Sequence, residues 1–430
     1  MKTIITLLFL LVVVPLVGQD PHNEFTDKLD EYFTALANQQ NFNGNVIVAR
    51  NGEVLLNKTY NMKSENDSLF VTKDSRFLIA SLSKNYLKYS VLKLVEQNKI
   101  TLQDPLKRFI PDFPAGDKIT VGNLMEHKSG LPRELSGNVN TDELPLAELV
   151  TLAKKEQLAF PPGSQSLYSN IGYSLLQYIV DKLSEKGYTD FVNTEVIAKM
   201  GLQNTGEYNA TQSIPNFAFG FDLVNGKLKA APLKHLNHFG TGNYYTTIGD
   251  LFSFSEQLRS GKTIKKSVAN KLFWKDSILV QSGGREGYRA YFYKSVKSSI
   301  TFLFLANYTD IPFQDITENV IKILDREPYK IRSNADRINK SQPLEVIQRY
   351  TGTYALEMQR NQIFKVIVEN GNLYFIDGTD KILLIPEDEF TFFDNPKSRD
   401  SYIFALNETT KHYELLLLTG EVKLKTIRLE

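Results

Sequence analysis

Hydrophobic and polar positions alternate with two different periods along this chain, and the period changes mark out its parts. Residues 25–39 carry Leu29, Phe33 and Leu36 at helical spacing. Gly44 then opens an apolar run, Asn51-Gly52 interrupts it, and Glu53 opens another. An Asn-Gly pair between two apolar runs predicts a β-hairpin. Residues 81–97 return to helical spacing, with Leu87, Val91, Leu94 and Val95 on one side, and Pro105, Pro111 and Pro114 punctuate the loops that follow. Further helices are expected at residues 144–155, 171–183, 248–258 and 314–324, the third with Thr247 and Asp250 at capping-box spacing. Between the last two, residues 279–307 read as strands. The nearly unbroken apolar run 300–306 predicts a strand buried on both faces.

Strands at both ends and helices in the middle predict an α/β (α+β) domain over residues 24–326, in which the terminal segments close an antiparallel sheet. Residues 327–344 are polar and read as a linker. From residue 345 to 430 the pattern becomes short apolar runs split by turns, Asn370-Gly371 among them, which predicts a small all-β barrel or sandwich.

The first residues change the picture of where the protein works. Lys2 precedes an apolar run from Ile4 to Val14, followed by Pro15 and Gly18. The run is shorter than the roughly 20 residues a membrane span needs. Residues 1–18 therefore read as a secretory signal peptide, and the mature chain is expected to be periplasmic or secreted, without a transmembrane segment.

A formal net charge of +1 without a long run of one sign gives no electrostatic footprint for nucleic acid or anionic lipid. The absence of cysteine excludes thiol chemistry and disulfides. Of the five histidines only His235 and His238 are close, and no acidic partner stands at metal-ligand spacing, so neither a metal nor a cofactor is expected.

Three segments carry candidate chemistry. Ser81 and Lys84 lie three residues apart at the start of a helix, hence on one face. A nucleophilic serine needs a group to take its proton, and a helix start and burial both favour the neutral amine. The same spacing recurs at Ser90 and Lys93, in mid-helix, where it is expected to be structural. Tyr168 and Asn170 arrive through a turn-rich stretch just before a helix. A tyrosine hydroxyl beside an ammonium is drawn toward phenolate and can relay protons, while the asparagine amide can hold a substrate amide. Finally, Gln281, Gly283 and Gly284 stand where glycines beside a strand would let a substrate approach, with the Gly284 N–H as an oxyanion donor. A plain glycine turn explains that third segment equally well.

Together, Ser-x-x-Lys at Ser81, Tyr-x-Asn at Tyr168 and the Gln281-Ser282-Gly283 strand resemble the motif set of the penicillin-recognising serine hydrolases: class C β-lactamases, D-alanyl-D-alanine carboxypeptidases and related esterases. The blocks from Thr101, from Ile119 through His127 to Pro132, and from Gly240 look like further family blocks in the family's order. The resemblance covers residues 25–325, and the C-terminal segment resembles the lipocalin-like barrel often appended to such enzymes. It implies a β-lactamase/transpeptidase-like fold, Ser81 as acylated nucleophile, Lys84 and Tyr168 in proton transfer, Asn170 on the substrate amide, and a structural role for His127. It implies a small-molecule or peptide, peptidoglycan-derived substrate.

One position departs from the family. Gln281 stands where relatives carry Lys or His, so a substrate carboxylate would lose its cation. The stretch from the Gly240 block to Gln281 also looks short, as if a strand at the site's edge were trimmed. Both features keep a second reading open: a catalytically impaired binding or sensor protein on the same scaffold. A third is a barrel that carries an apolar ligand.

Overall fold

The computed structural model describes residues 21–429 except 64–66, 138, 140–143, 225–226, 234–241, 259, 274, 276, 332–336, 358, 379, 397–399 and 420–421. The expected signal peptide, His235, His238, Gly240, Thr241 and the middle of the expected linker lie outside the described residues.

Helix α1 (Pro21–Asn38) leads into the hairpin of β1 (Gly44–Arg50) and β2 (Glu53–Tyr60). Asn51 and Gly52 both adopt positive φ (53° and 81°), the geometry that a two-residue hairpin turn of this kind requires. The short β3 (Phe77–Leu78) precedes a 3-10 turn at Ala80–Ser83 and helix α2 (Lys84–Glu96). The helical region continues with α3 (Val121–Met125), α4 (Leu146–Ala153), α5 (Asn170–Leu183) and α6 (Tyr188–Val192). Short strands β4 (Gly206–Glu207), β5 (Phe221–Val224), β6 (Lys227–Ala230) and β7 (Tyr244–Thr246) follow, then α7 (Ile248–Gln257) and α8 (Lys266–Ala269). The chain returns to the main sheet with β8 (Ile278–Arg285), β9 (Tyr288–Ser295) and β10 (Ile300–Ala306), and α9 (Phe313–Leu324) closes it.

The sheet order is β2-β1-β10-β9-β8, antiparallel throughout. Strand β10 sits at its centre and every residue of it is buried. Phe302 and Phe304 face α1 and α9, where Leu29, Phe33, Val320 and Ile323 cover them. Leu303 and Leu305 face the helical region with Leu82, Leu87 and Phe254. The unbroken apolar run of 300–306 thus reports two cores, one on each face of the sheet. Thr247 caps α7 by accepting from the Asp250 N–H, but the Asp250 carboxylate bonds Asn204 and Thr205 instead, so the capping box is only half formed. A complete box stands at Thr120 and Asn123, ahead of α3.

Helix α10 (Leu344–Gln348) precedes eight strands, from β11 (Gly352–Leu356) to β18 (Val422–Arg428), which close into a barrel. It has a hydrophobic core of its own, in which Tyr350 stacks on Phe404 at 4.3 Å between ring centroids and Phe364 packs against Phe375.

The expected linker is not free along its length. Arg337 is buried, donates to the Asp400 carbonyl at 2.7 Å and Ser401 Oγ at 2.8 Å, and pairs with Glu387 at 2.6 Å. Gln314 of α9 also donates to Asp400, and Asn395 of the barrel bonds Asp310. The barrel is therefore docked beside α9 through polar contacts.

Candidate active site

Ser81 is delivered by a strained turn. Strand β3 pairs with β7, Phe77 opposite Thr246 and Leu78 opposite Tyr245, and Ile79 N–H continues the pairing by donating to the Tyr244 carbonyl. The chain then reverses at Ala80, whose φ of +44° lies in the left-handed region that L side chains rarely adopt. A 3-10 turn follows and α2 begins at Lys84, not at Ser81 as the spacing alone suggests. On the other side β8 presses against this turn. A Cβ on Gly283 would stand 2.2 Å from the Ile79 carbonyl oxygen, so only glycine permits the approach. This excludes the simple glycine turn: Gly283 and Gly284 are within β8, and the turn to β9 is made by Glu286 and Gly287.

Two groups meet on the Ser81 oxygen. Lys84 Nζ lies 3.1 Å from Ser81 Oγ, and the Tyr168 hydroxyl donates to the same oxygen at 2.8 Å. Lys84 is fully buried, and burial lowers its pKa to about 7, partly opposed by the Glu134 carboxylate. A neutral amine is therefore well populated at neutral pH. Tyr168 moves the other way from the expectation. Burial raises its pKa, and neither the Ser81 bond nor Arg133 reverses this, so it stays a phenol and a donor.

His127 fixes the tyrosine. Its ring is stacked between Tyr168 (4.4 Å) and Tyr173 (4.8 Å), and its Nδ1 accepts from the Ser169 N–H at 3.0 Å. Burial, with Lys88 and Lys84 nearby, lowers its pKa to about 3, so it is a neutral spacer. Ser169, not Asn170, caps α5 by accepting from Gly172 N–H, and its hydroxyl donates to the Pro132 carbonyl. Asn170 N–H donates to the Arg133 carbonyl. These two bonds tie residues 132–134 to the Tyr168–Asn170 stretch. Glu134 consequently lies against Asn170, whose amide Nδ2 donates to its carboxylate. Arg133 covers the Tyr168 ring at 5.3 Å.

Gln281 is buried, but its amide donates to the Ser282 carbonyl of its own strand at 3.0 Å. Strand β8 is the last of the sheet, lying directly on the Ser81 turn. Arg289 lies against Gly284 and donates to the Arg285 and Tyr288 carbonyls, with Asp222, Asp310 and Asp400 nearby. The second Ser-x-x-Lys pair is structural: Ser90 donates to the Tyr86 carbonyl, and Lys93 pairs with Glu96 and bonds the Thr263 carbonyl. Among the described residues no group of His, Asp and Glu could hold a metal ion.

The structure thus gathers Ser81, Lys84, Tyr168 and Asn170, with Gln281, Gly283 and Gly284 on the facing strand. Four neighbours were not singled out from sequence. Lys88, a helical turn beyond Lys84, shares the Tyr173 ring with it, at 5.9 and 5.4 Å. Its spacing from Ser81 and Lys84 was a usable signal. Tyr173, Arg133 and Glu134 had none, because loop and helix meet only in the fold.

Comparison with known proteins agrees with this fold. The sequence model of the Beta-lactamase family matches residues 29–310. Penicillin-binding protein 4* of Bacillus subtilis (strain 168) is 28% identical over 411 residues, covering 85% of this chain and 90% of that protein. The teichoic acid D-alanine hydrolase of Staphylococcus aureus (strain MRSA252) is 26% identical over 232 residues, 54% of this chain and 58% of that protein. Among solved structures, the octameric penicillin-binding protein homologue from Pyrococcus abyssi superposes with a TM-score of 0.63 at 18% identity, over 95% of this chain and 100% of that one.

Proposed function

Starting from the chain's membership of the β-lactamase family, a family of serine hydrolases, we propose that it is an exported enzyme that cleaves an ester or amide bond through an acyl-serine. The observation that carries this reading is the convergence of Lys84 Nζ and the Tyr168 hydroxyl on Ser81 Oγ.

In the proposed reaction neutral Lys84 takes the Ser81 proton as the oxygen attacks the substrate carbonyl. The carbonyl becomes an oxyanion held by the N–H groups of Ser81 and Gly284. As the bond to the leaving group breaks, the Tyr168 hydroxyl donates its proton to the departing nitrogen or oxygen and recovers one from Lys84. Water then attacks the acyl-serine, gives its proton to the same relay, and the Ser81 oxygen leaves as the hydroxyl. Asn170 would hold the amide of the acyl group. Gln281 supplies hydrogen bonds but no charge, so neutral esters are favoured over substrates ending in a carboxylate. Export is supported by the pattern of residues 1–18.

Intact-mass measurement after incubation with a fluorophosphonate tests the nucleophile. One adduct is expected, absent in Ser81→Ala and retained in Ser90→Ala. An adduct that survives Ser81→Ala would overturn the assignment, and an unlabelled native protein would favour a binding protein on this scaffold.

A further inference from the structure

We infer that a lysine-lined pocket at the far end of α2 binds linked phosphates, such as a di- or triphosphate group, at a site separate from Ser81. The reaction proposed above does not use this pocket, and the inference stands whether or not Ser81 is acylated.

The pocket lies where the second Ser-x-x-Lys pair, Ser90 and Lys93, approaches the end of α2. A cavity of about 400 Å³ opens between this turn, Lys199 and the loop before α8. Three bonds tie that loop to the helix. Lys93 Nζ donates to the Thr263 carbonyl at 2.7 Å, the Tyr89 hydroxyl meets Thr263 Oγ1 at 2.6 Å, and the Lys265 N–H donates to Glu96 Oε1 at 2.7 Å. Lys93 is only 7% exposed, yet it lines the cavity. Its ammonium has three N–H donors; Glu96 and Thr263 take two, which leaves one for a ligand. Lys93 stands nine residues beyond Lys84 on α2, about 14 Å along the axis, so a ligand here stays clear of the reacting atoms.

The charge of the lining selects the ligand. Its ionisable groups are four lysines, Lys93, Lys199, Lys262 and Lys265, and one acid, Glu96. Both Glu96 oxygens are already engaged, by Lys93 and by the Lys265 N–H. Lys199 pairs with Glu195, but Lys262 and Lys265 are exposed and form no ion pair among the described residues. Residues 262–275 hold five lysines and no acid, so the whole-chain balance of +1 conceals a local excess of positive charge. Such an excess suits an anion with several charges better than a single carboxylate. A carboxylate is read best by the planar fork of arginine, and none lines the pocket among the described residues; lysines act as point charges that suit phosphate oxygens. The volume lies at the small end of ligand pockets, which fits a few linked phosphates.

Isothermal titration calorimetry on the full chain tests this, with inorganic triphosphate against citrate, which carries comparable charge on carboxylates, at pH 7 and fixed ionic strength. One triphosphate site is expected, with an affinity roughly tenfold or more above that for citrate. Lys262→Gln combined with Lys265→Gln should weaken it by roughly 10- to 100-fold, the range of a hydrogen bond between charged groups. Lys271→Gln combined with Lys297→Gln makes the same change in net charge away from the lining and should leave the affinity within about twofold. Long-chain polyphosphate, titrated in parallel, identifies the source of the phosphates. Tighter binding per site than triphosphate means that a polymer runs across the pocket, and equal binding means that a small anion fills it. No binding of triphosphate, equal affinity for citrate, or an equal loss in the control pair would overturn the inference, and none of these outcomes bears on the acyl-serine reading.

Discussion

The two walls of the site are built to different standards. On the helical wall, Ser81, Lys84, Tyr168, His127 and Tyr173 are buried or half-buried and locked by short contacts, each bonded to or stacked on the next. On the strand wall, Gln281 turns its amide onto its own backbone, and Val280 and Ser282 are exposed. Groups that move protons need fixed distances, because proton transfer fails beyond hydrogen-bond reach. A wall that only reads the substrate can lose a charge and remain folded. Under the proposed mechanism, a neutral residue at position 281, where the resemblance implies a cation, would change selectivity while the contacts on Ser81 stay in place.

The sharpest way to break this contrast is at Gly283, where the two walls touch. In Gly283→Ala the new methyl group would meet the Ile79 carbonyl at 2.2 Å, so β8 or the Ser81 turn must move. A shift of about 1 Å can cost about 100-fold in rate, and activity should fall by that order while circular dichroism still reports a folded protein. Near-native turnover would mean that the strand is not positioned by this contact.

A smaller effect is expected at Lys88. If neutral Lys84 is the base, activity should rise with pH through about 7. The charged and titratable groups around that amine are Lys88 on its own helix, Glu126 and His127 after α3, Arg133 and Glu134 on the loop, and Tyr168 and Tyr173 at α5. Lys88 disfavours the Lys84 ammonium, so Lys88→Met should move the acid limb of kcat/KM to higher pH, by up to about one unit. Glu134→Gln should move it lower, because that carboxylate favours the ammonium. Profiles that superpose in all three proteins would exclude Lys84 as the titrating base.

The smallest change belongs to the strand wall. Gln281→Lys should raise kcat/KM for a carboxylate-bearing substrate such as a penicillin by roughly twofold to tenfold, with little effect on a neutral ester. The gain should shrink as salt is added. Equal changes for both substrates would show that position 281 does not read carboxylates.

Legibility in the sequence followed how local each feature is. The hairpin at Asn51-Gly52 and the doubly buried strand 300–306 are set by neighbours within a few residues and appear where their patterns point, and the Ser81–Lys84 spacing does bring the two side chains together, although through a 3-10 turn ahead of α2. The pairing of Tyr168 with Ser81 spans 87 residues and was expected only because an ordered set of motifs resembles a family. Glu134 against Asn170, and the stack of His127 between two tyrosines, carry no periodic or spacing signal; they exist because residues 132–134 and α5 share backbone bonds. The Tyr168 hydroxyl departs from the expected direction for a related reason. A neighbouring ammonium can be inferred from sequence, but the depth of burial that outweighs it cannot.

Lys84 also has a thermodynamic consequence. With its native pKa near 7 and its unfolded value near 10.5, the unfolded chain holds a proton that the native state sheds between those limits. Folding is therefore penalised in full below pH 7, and the penalty fades as pH rises toward 10.5. Lys84→Met removes it while keeping the shape of the side chain, so this variant should be inactive yet melt at a higher temperature than the native protein. The gap in melting temperature should narrow between pH 7 and pH 10. Measured together, the two curves would give the stability that this fold gives up to keep an uncharged amine beside its serine.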